Sequence, residues 1–566
     1  MRRNLPGLLA LSVVGAVSGT PLLPRYINST GSGVTCNGTF SRITAQTWVD
    51  GMNPGWNLGN TLDGIPDEGD WGNPPVVPAT FDDVKNAGYK GVRLPDYKVN
   101  PAWLQRVSDV VDMVIERDMY VLVNVHHDSW TWADVTQANA NYTQIEEKFY
   151  RLWYQIGIKL ACKSSLLAYE PINEPPGTSA AHAAELKKLE GLFLQAIADA
   201  GGFNPHRVVT LNGPQENSDL TSQYFVRPTN ISNPWAIQYH YYSPYPFIFS
   251  AWGSTIWGSD ADKAALEADI ANIRNNFTDV PLIIGEWAAS PVATETAARW
   301  RYSDFFVRIA SKYNTATVLW DNGADFLDRT NHVWRDQTAI DIYMSAHAGE
   351  ANALPDSTID PNAKTQHTSA DLFVRVGQNV TSQTLPYILP RNITLLSIAG
   401  PNGKSLARGT DYSVTGNNIT FSASFLRTFF TPSVSPGSIA NLTLGFSTGA
   451  DLTLDLVLWD TPVLSSTSSS VAAANGSSIS IPVQWKGINK PATVKTVTTN
   501  GTYLVDDFTK YYGPLQNART WNWDTNNLII TSAAVNAVQA LAEDVIFTFE
   551  FYPRVPGNAV NYTLTV

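Results

Sequence analysis

Two glutamates stand where their surroundings suit opposite tasks. Glu174 sits in Asn173-Glu174-Pro175 at the end of one apolar run, and Glu286 sits in Ile284-Gly285-Glu286-Trp287 at the end of another. One carboxylic acid that protonates a leaving oxygen, with one carboxylate that attacks or activates water at an acetal carbon, is the chemistry of glycoside cleavage. The two pKa values must then be pushed apart, and Arg93 with Tyr242 could keep one carboxylate ionised while the other loses solvent. Other apolar runs also end in polar residues: Asn124 and His126, His240, and Trp320-Asp321-Asn322. Buried polar groups are costly, so their gathering at one end of several runs points to a site. Strand alternation puts Gln238, His240 and Tyr242 on one face, and Asn124, His126 and Asp128 on another. By the same alternation His126 and His127 point apart, which argues against a shared metal ion, and no cofactor is expected. Gly445-Phe446-Ser447-Thr448-Gly449 matches the spacing of a nucleophile elbow, but a strand pattern follows it and no helix, so it reads as a hairpin turn.

These residues need a scaffold that carries them to one end. Apolar runs at 55–62, 91–95, 120–127, 166–173, 208–212, 235–242, 281–287 and 316–322 read as eight strands. Stretches of helical period lie between most of them, at 101–117, 143–159, 181–200, 262–275 and 296–312. Strand and helix in alternation imply parallel pairing. No Gly-rich dinucleotide fingerprint follows the first strand, so residues 20–353 read as a closed (β/α)8 TIM barrel, with its site at the C-terminal ends of the strands.

Helical periodicity stops near Leu354. Short alternating runs punctuated by Gly, Asn, Asp and Pro then follow, the pattern of antiparallel β-sandwiches. The chain is therefore multidomain, with two all-β immunoglobulin-like sandwiches at 354–462 and 463–566 after the barrel; the Ser/Ala-rich stretch 464–478 is a connector or a soft first strand.

Six ordered motifs, Gly55-Trp56-Asn57-Leu58-Gly59-Asn60-Thr61-Leu62, Val92-Arg93-Leu94-Pro95, Asn124-Val125-His126-His127-Asp128, Ile172-Asn173-Glu174-Pro175, His240-Tyr241-Tyr242-Ser243-Pro244 and Trp320-Asp321-Asn322-Gly323, resemble glycoside hydrolase family 5, and within it the endoglucanase and xyloglucanase branch, subfamily 4. The resemblance implies a retaining double displacement with Glu174 as acid/base, Glu286 as nucleophile and carboxyl groups about 5–5.5 Å apart. It further implies that Asn173 holds the sugar 2-hydroxyl, that Arg93, His126, His240 and Tyr242 position carboxylates and substrate, that Asn60 and His127 contact substrate, and that Trp320 is the sugar platform at the cleavage point. Asp96-Tyr97-Lys98 and Ala288-Ala289 depart from the family pattern beside neighbouring subsites, which bears on substrate choice. The segment 371–462 resembles the X2 module, and the last hundred residues resemble a family 46 carbohydrate-binding module, with Trp521 and Trp523 as sugar platforms on one strand face. The implied activity is a retaining endo-β-1,4-glucanase on a plant cell-wall β-glucan. Cellulose, xyloglucan and mixed-linkage glucan all stay open as substrates, and a non-catalytic carbohydrate-binding protein is the rival of another class.

Composition sets the limits. With 38 basic against 50 acidic side chains, the formal charge of −12 disfavours nucleic acid as a partner. The 18 Trp and 23 Tyr are a large supply of flat faces for stacking on sugars. Met1-Arg2-Arg3, an apolar stretch at 8–17 and small Ser18-Gly19 read as an export signal at 1–19, too short to span a membrane, so a secreted monomer with no membrane partner is expected. Asn37, Asn141, Asn276, Asn379, Asn441 and Asn561 stand in Asn-x-Ser/Thr triplets, candidate glycosylation acceptors in an exported chain. The two cysteines, Cys36 and Cys162, permit one disulfide in that compartment, two buried thiols being the alternative.

Overall fold

The computed structural model describes residues 33–95, 100–229, 231–390, 392–504, 509–512 and 520–566. The expected export signal and Asp96-Tyr97-Lys98 lie outside the described residues.

Eight strands, β1 (Gly55–Asn57), β2 (Gly91–Leu94), β3 (Tyr120–Asn124), β4 (Leu167–Glu170), β5 (Val209–Asn217), β6 (Trp235–Tyr241), β7 (Leu282–Trp287) and β8 (Thr315–Leu319), close a barrel in chain order. Each is parallel to its neighbours and β8 returns to β1. The strands are near-continuous apolar runs because helices cover them outside and packed side chains fill them inside. Along β3, Val121 and Val123 join the core shared with the helices, whereas Leu122 faces inward with Ala168, Ala236, Ile283 and Val318. Trp48, Val49 and Met52 of the helix Ala45–Met52 close the lower end of that interior.

The helices begin where local chemistry supplies caps. Asn141 caps Tyr142–Leu160, and Ser259 with Asp262 forms a capping box on Asp260–Asn276. Ile145, Phe149, Trp153, Ile156 and Leu160 of the first of these recur at helical spacing and are buried. Cys36 and Cys162 are disulfide-bonded, tying the segment ahead of the barrel to the end of that helix.

A second unit holds two four-stranded sheets, mostly antiparallel, with Asp371–Arg375 parallel to Leu452–Trp459. Its core is continuous with Ala297, Trp300, Ala339 and Ile342 of the barrel's outer helices. Ser447 lies in the turn between antiparallel Gly437–Phe446 and Leu452–Trp459, so the elbow-like pattern is a hairpin. The third unit packs a four-stranded sheet against a five-stranded one. It also contains a ten-residue helix, Ser532–Leu541, that the all-β expectation missed, burying Ala534, Val535 and Val538. The 464–478 stretch supplies two short strands and a helical turn to it. This unit is hooked onto the barrel: Lys490 Nζ donates to the carbonyls of Pro291 and Thr294 (2.8 Å each), and Arg554 Nη1 donates to Thr255 Oγ1 (3.0 Å). No helix among the described residues is long and apolar enough to cross a membrane. The six candidate glycosylation asparagines are exposed.

Candidate active site

The C-terminal ends of the strands are held together by one arginine. Arg93 of β2 is fully buried and its five N–H groups are shared among four side chains. Nε and Nη2 grip Glu170 of β4 at 2.7 Å each, Nη1 reaches Asn57 at 3.0 Å and Glu286 at 2.6 Å, and Nη2 also reaches Asn173 at 2.8 Å. Burial works against the charge on Glu170, but bidentate Arg93 outweighs it and holds the carboxyl below its usual range. Gly285 keeps β7 close to its neighbour, since a Cβ there would lie 2.6 Å from the amide of Gln238.

Glu286 ends β7 almost fully buried. Arg93 Nη1 donates to its Oε1, and the Tyr242 hydroxyl donates to its Oε2 at 2.9 Å. Burial pushes this carboxyl up and the neighbouring Glu174 adds to that; His240 and Arg93 offset this only in part, so it stays above its ordinary range. Both oxygens of Glu286 nonetheless carry a donor that favours the carboxylate.

Glu174 follows β4 with a left-handed backbone, φ 38°. Its Oε1 lies 2.8 Å from His240 Nδ1, and its side chain is 30% exposed to the cleft. The expectation that this second carboxyl loses solvent is corrected: in the free protein Glu174 is the more open of the two. One oxygen each of Glu174 and Glu286 and one nitrogen of His240 all lie within 4.8 Å of one another.

Above them is a cleft of about 770 Å³, lined by Asn60, His126, His127, Asn173 and Trp320 together with the two glutamates and Tyr242. Trp320 follows β8, its backbone N–H on Trp287 O at 2.9 Å, and its ring stacks on His126 with centroids 5.8 Å apart and 5° between planes. Gly59 allows this, because a Cβ there would lie 2.8 Å from the indole. Burial first, then Arg93 and the neighbouring histidines, holds His126 well below its ordinary pKa, so it is a neutral ring. His127 packs between Trp71 and Trp130, with centroids 5.0 and 5.1 Å away.

The alternation argument about the two histidines fails. β3 ends at Asn124 and a turn of 3-10 helix begins at His127, so His126, His127 and Asp63 can each bring one ligating atom within 4.8 Å of the others. Asp128 is correspondingly off the strand, its carboxylate bonded to Trp132. In the Asp63 group, His127 Nε2 lies 3.3 Å from Asp63 Oδ2, and His126 Nδ1 is 3.1 Å from Asn124 Nδ2.

The two tryptophans proposed as sugar platforms part company. Trp521 is fully buried in the core of the third unit, so its role as a platform is corrected; the sheet and Phe549 cover it. Trp523, with Asn522, lines a second cavity of about 370 Å³ together with Tyr242, Phe249 and Trp320 of the barrel.

Sequence reasoning missed Glu170 and Glu216. Glu170 hides inside the buried run Leu167–Glu170, where an acidic residue was the available signal. Glu216 lies beyond the point, Asn212, where the fifth strand appeared to stop; it is fully buried, with Oε2 3.0 Å from His240 Nε2.

Known proteins resemble this chain in sequence and fold. Residues 50–326 match the cellulase family, glycosyl hydrolase family 5, and residues 366–456 match the carbohydrate binding domain X2. Endoglucanase B of Paenibacillus lautus is 27% identical over 550 residues, 92% of this chain and 91% of that one. Endoglucanase B of Clostridium cellulovorans is 31% identical over 309 residues, 50% of this chain and 69% of the other. A tri-modular subfamily 4 endo-β-1,4-glucanase from Bacillus licheniformis, solved complexed with cellotetraose, superposes with a TM-score of 0.81 at 33% identity, over 92% of this chain and 99% of that one. Sequence motifs, barrel and whole-chain likeness agree, and the chain belongs to glycosyl hydrolase family 5.

Proposed function

We propose that this protein is a secreted, retaining endo-β-1,4-glucanase that cleaves internal linkages of plant cell-wall β-glucans. The observation that carries the reading is the pair Glu174 and Glu286, whose oxygens approach within 4.8 Å across the cleft, one open to substrate and the other clamped by Arg93 and Tyr242. Inverting enzymes keep their carboxyl groups about 6.5–9.5 Å apart to admit a water, so the short spacing favours direct attack by one of them.

In the first step Glu286 attacks the anomeric carbon while the protonated Glu174 gives its proton to the leaving glycosidic oxygen; the C–O bond to the departing chain breaks and a glycosyl ester forms on Glu286. In the second, Glu174 takes a proton from water, whose oxygen attacks the same carbon and releases Glu286. Asn173, held by Arg93 at 2.8 Å, is aimed to bind the 2-hydroxyl, and Trp320 offers its face to the sugar ring. Asn60, His126 and His127 line the track, and Trp523 extends it from a third unit that we assign as a family 46-like carbohydrate-binding module. The cellotetraose held by the Bacillus licheniformis relative supports a β-glucan as substrate. The scheme uses no cofactor and a single chain. The signal-like leader at 1–19 and the exposed Asn-x-Ser/Thr sites support export as a glycoprotein.

Reducing-sugar release with product sizing on carboxymethylcellulose, xyloglucan, mixed-linkage β-glucan and mannan, with wild type beside Glu286→Gln, tests the reading. Internal cleavage of one of the first three, lost by about a thousandfold or more in the variant, is expected. Binding of these polymers without cleavage of any would favour a binding-only protein.

A further inference from the structure

Behind the two carboxyl groups of the cleft lies a third. Along the β5–β6 pair, Asn212 faces Gln238 but Asn217 faces His240, so residues 213–216 loop out of β5 opposite a single residue of β6. Gln215 and Glu216 take left-handed backbones there, φ 57° and 49°, a conformation that costs each non-glycine residue about 1 kcal/mol or more. The bulge turns Glu216 into the barrel, where no part of it is exposed.

Two of the three contacts of this carboxylate lead to Glu174. Its Oε2 accepts the backbone N–H of Glu174 at 2.9 Å and lies 3.0 Å from His240 Nε2, and its Oε1 accepts from Gln238 at 3.0 Å. The opposite ring nitrogen, His240 Nδ1, is 2.8 Å from the Glu174 carboxyl. The negative charge of Glu216 beside Nε2 favours a proton on that nitrogen, by charge and not through an aligned hydrogen bond. Nδ1 is then left either to accept the acid proton of Glu174 or to carry a second proton and donate it to the ionised carboxylate. One proton can pass between Glu174 and His240 without either side chain turning.

We propose that Glu216 is a positioning residue for the acid/base carboxyl, holding Glu174 by its backbone N–H and fixing, through His240, where the proton of the Glu174–His240 pair resides. This rests on Glu174 being the acid/base. The groups facing the pair are Glu216, Glu286, Tyr242, His126 and Arg93, with Glu170 behind them. Burial disfavours the His240 charge, but Glu216, Glu286 and Glu174 outweigh it and push the ring up to about 9; burial pushes Glu216 up to about 7 against the pull of His240. A negative charge beside the pair makes its proton harder to lose, so removing that charge moves the alkaline limb of activity to lower pH.

The test uses the full chain and two substrates, mixed-linkage β-glucan, whose leaving group needs a proton, and dinitrophenyl β-cellobioside, whose leaving group does not. Glu216→Gln is expected to lower kcat/KM on the glucan about tenfold and on the aryl cellobioside less than about threefold, and to move the alkaline limb down by about half a unit or more. Equal loss on both substrates with an unmoved limb, or no loss on either, overturns the proposal. If Glu216→Gln does not fold, Gln238→Met, which removes the donor to Oε1 along with the acceptor for Thr210 Oγ1, is carried through the same assays; a smaller shift in the same direction supports the role and no shift overturns it. Glu174→Gln run alongside separates the two claims. If it too loses kcat/KM on both substrates equally, Glu174 is not the acid and the underlying reading fails, whereas a loss of kcat/KM confined to the glucan leaves Glu216 as the only question.

Discussion

Trp523 of the third unit and Trp320 of the barrel line the same cavity, about 370 Å³ in volume, immediately beside the cleft that holds Glu174 and Glu286. The two cavities share Tyr242, Phe249 and Trp320, so they adjoin between the Glu174–Glu286 pair and the third unit. A sugar ring stacked on an indole gains about 1 kcal/mol. Trp523→Ala is expected to raise KM for polymeric β-glucan about fivefold with kcat nearly unchanged, and to leave aryl cellobioside kinetics alone. Trp521→Ala is a contrasting variant: it empties a buried site and costs about 3–5 kcal/mol, read as early melting of the third unit.

Arg93 gives a second expectation. Its fork holds Glu170 at two points while reaching Asn57, Asn173 and Glu286, a geometry that a lysine's single ammonium cannot reproduce. Arg93→Lys should lower kcat about a hundredfold, because Glu286 and Asn173 lose their alignment together, and should cost about 3–5 kcal/mol by leaving Glu170 poorly paired. Steady-state kinetics with a denaturant titration measures both, and retained kcat would mean that Arg93 is only a structural counter-ion.

Glu174 and Glu286 were legible as candidates for one site because charge at the end of an apolar run is expensive, and both stand there. What escaped depended on local backbone that no periodicity encodes. Glu216 reaches the site only through a bulge built on two left-handed residues, and strand alternation read past Asn212 has no means of foreseeing it. His126 and His127 converge because β3 ends at Asn124, three residues before the end of the apolar run 120–127. Trp521 and Trp523 share a strand face, yet only docking of the third unit against the barrel decides that one ring meets the cleft and the other the core.

The disulfide should matter for stability and not for chemistry. Cys162 follows the helix Tyr142–Leu160 and precedes β4, at the end of that strand opposite Glu174. It closes a loop of 126 residues, and by the chain-entropy argument such a crosslink stabilises by about 4–5 kcal/mol. Cys36→Ser, or reduction of the folded protein, is expected to lower the melting temperature while initial rates at 25 °C stay within about twofold. A rate that falls in step with stability at 25 °C would place the crosslink in control of the site.

Glu190 carries a pH-dependent penalty. It lies on the helix Ala180–Ala200, buried beneath β5, with one oxygen accepting the backbone N–H of Asn212 at 3.2 Å. Burial pushes its carboxyl up to about 8, against the weaker pulls of the Asn212 N–H and Lys187, whereas an unfolded glutamate titrates near about 4.3. Between those values the folded chain keeps a proton that the unfolded chain has released, so the group's contribution to stability falls as pH rises through that window. Glutamine preserves the acceptor oxygen and has no proton to lose. Glu190→Gln should therefore match wild type in melting temperature near pH 4.5 and exceed it increasingly up to pH 8, with a gain on the order of 3 kcal/mol at neutral pH. A difference between the two proteins that stays constant across that range would mean that Glu190 is ionised in the folded state and held by contacts other than these.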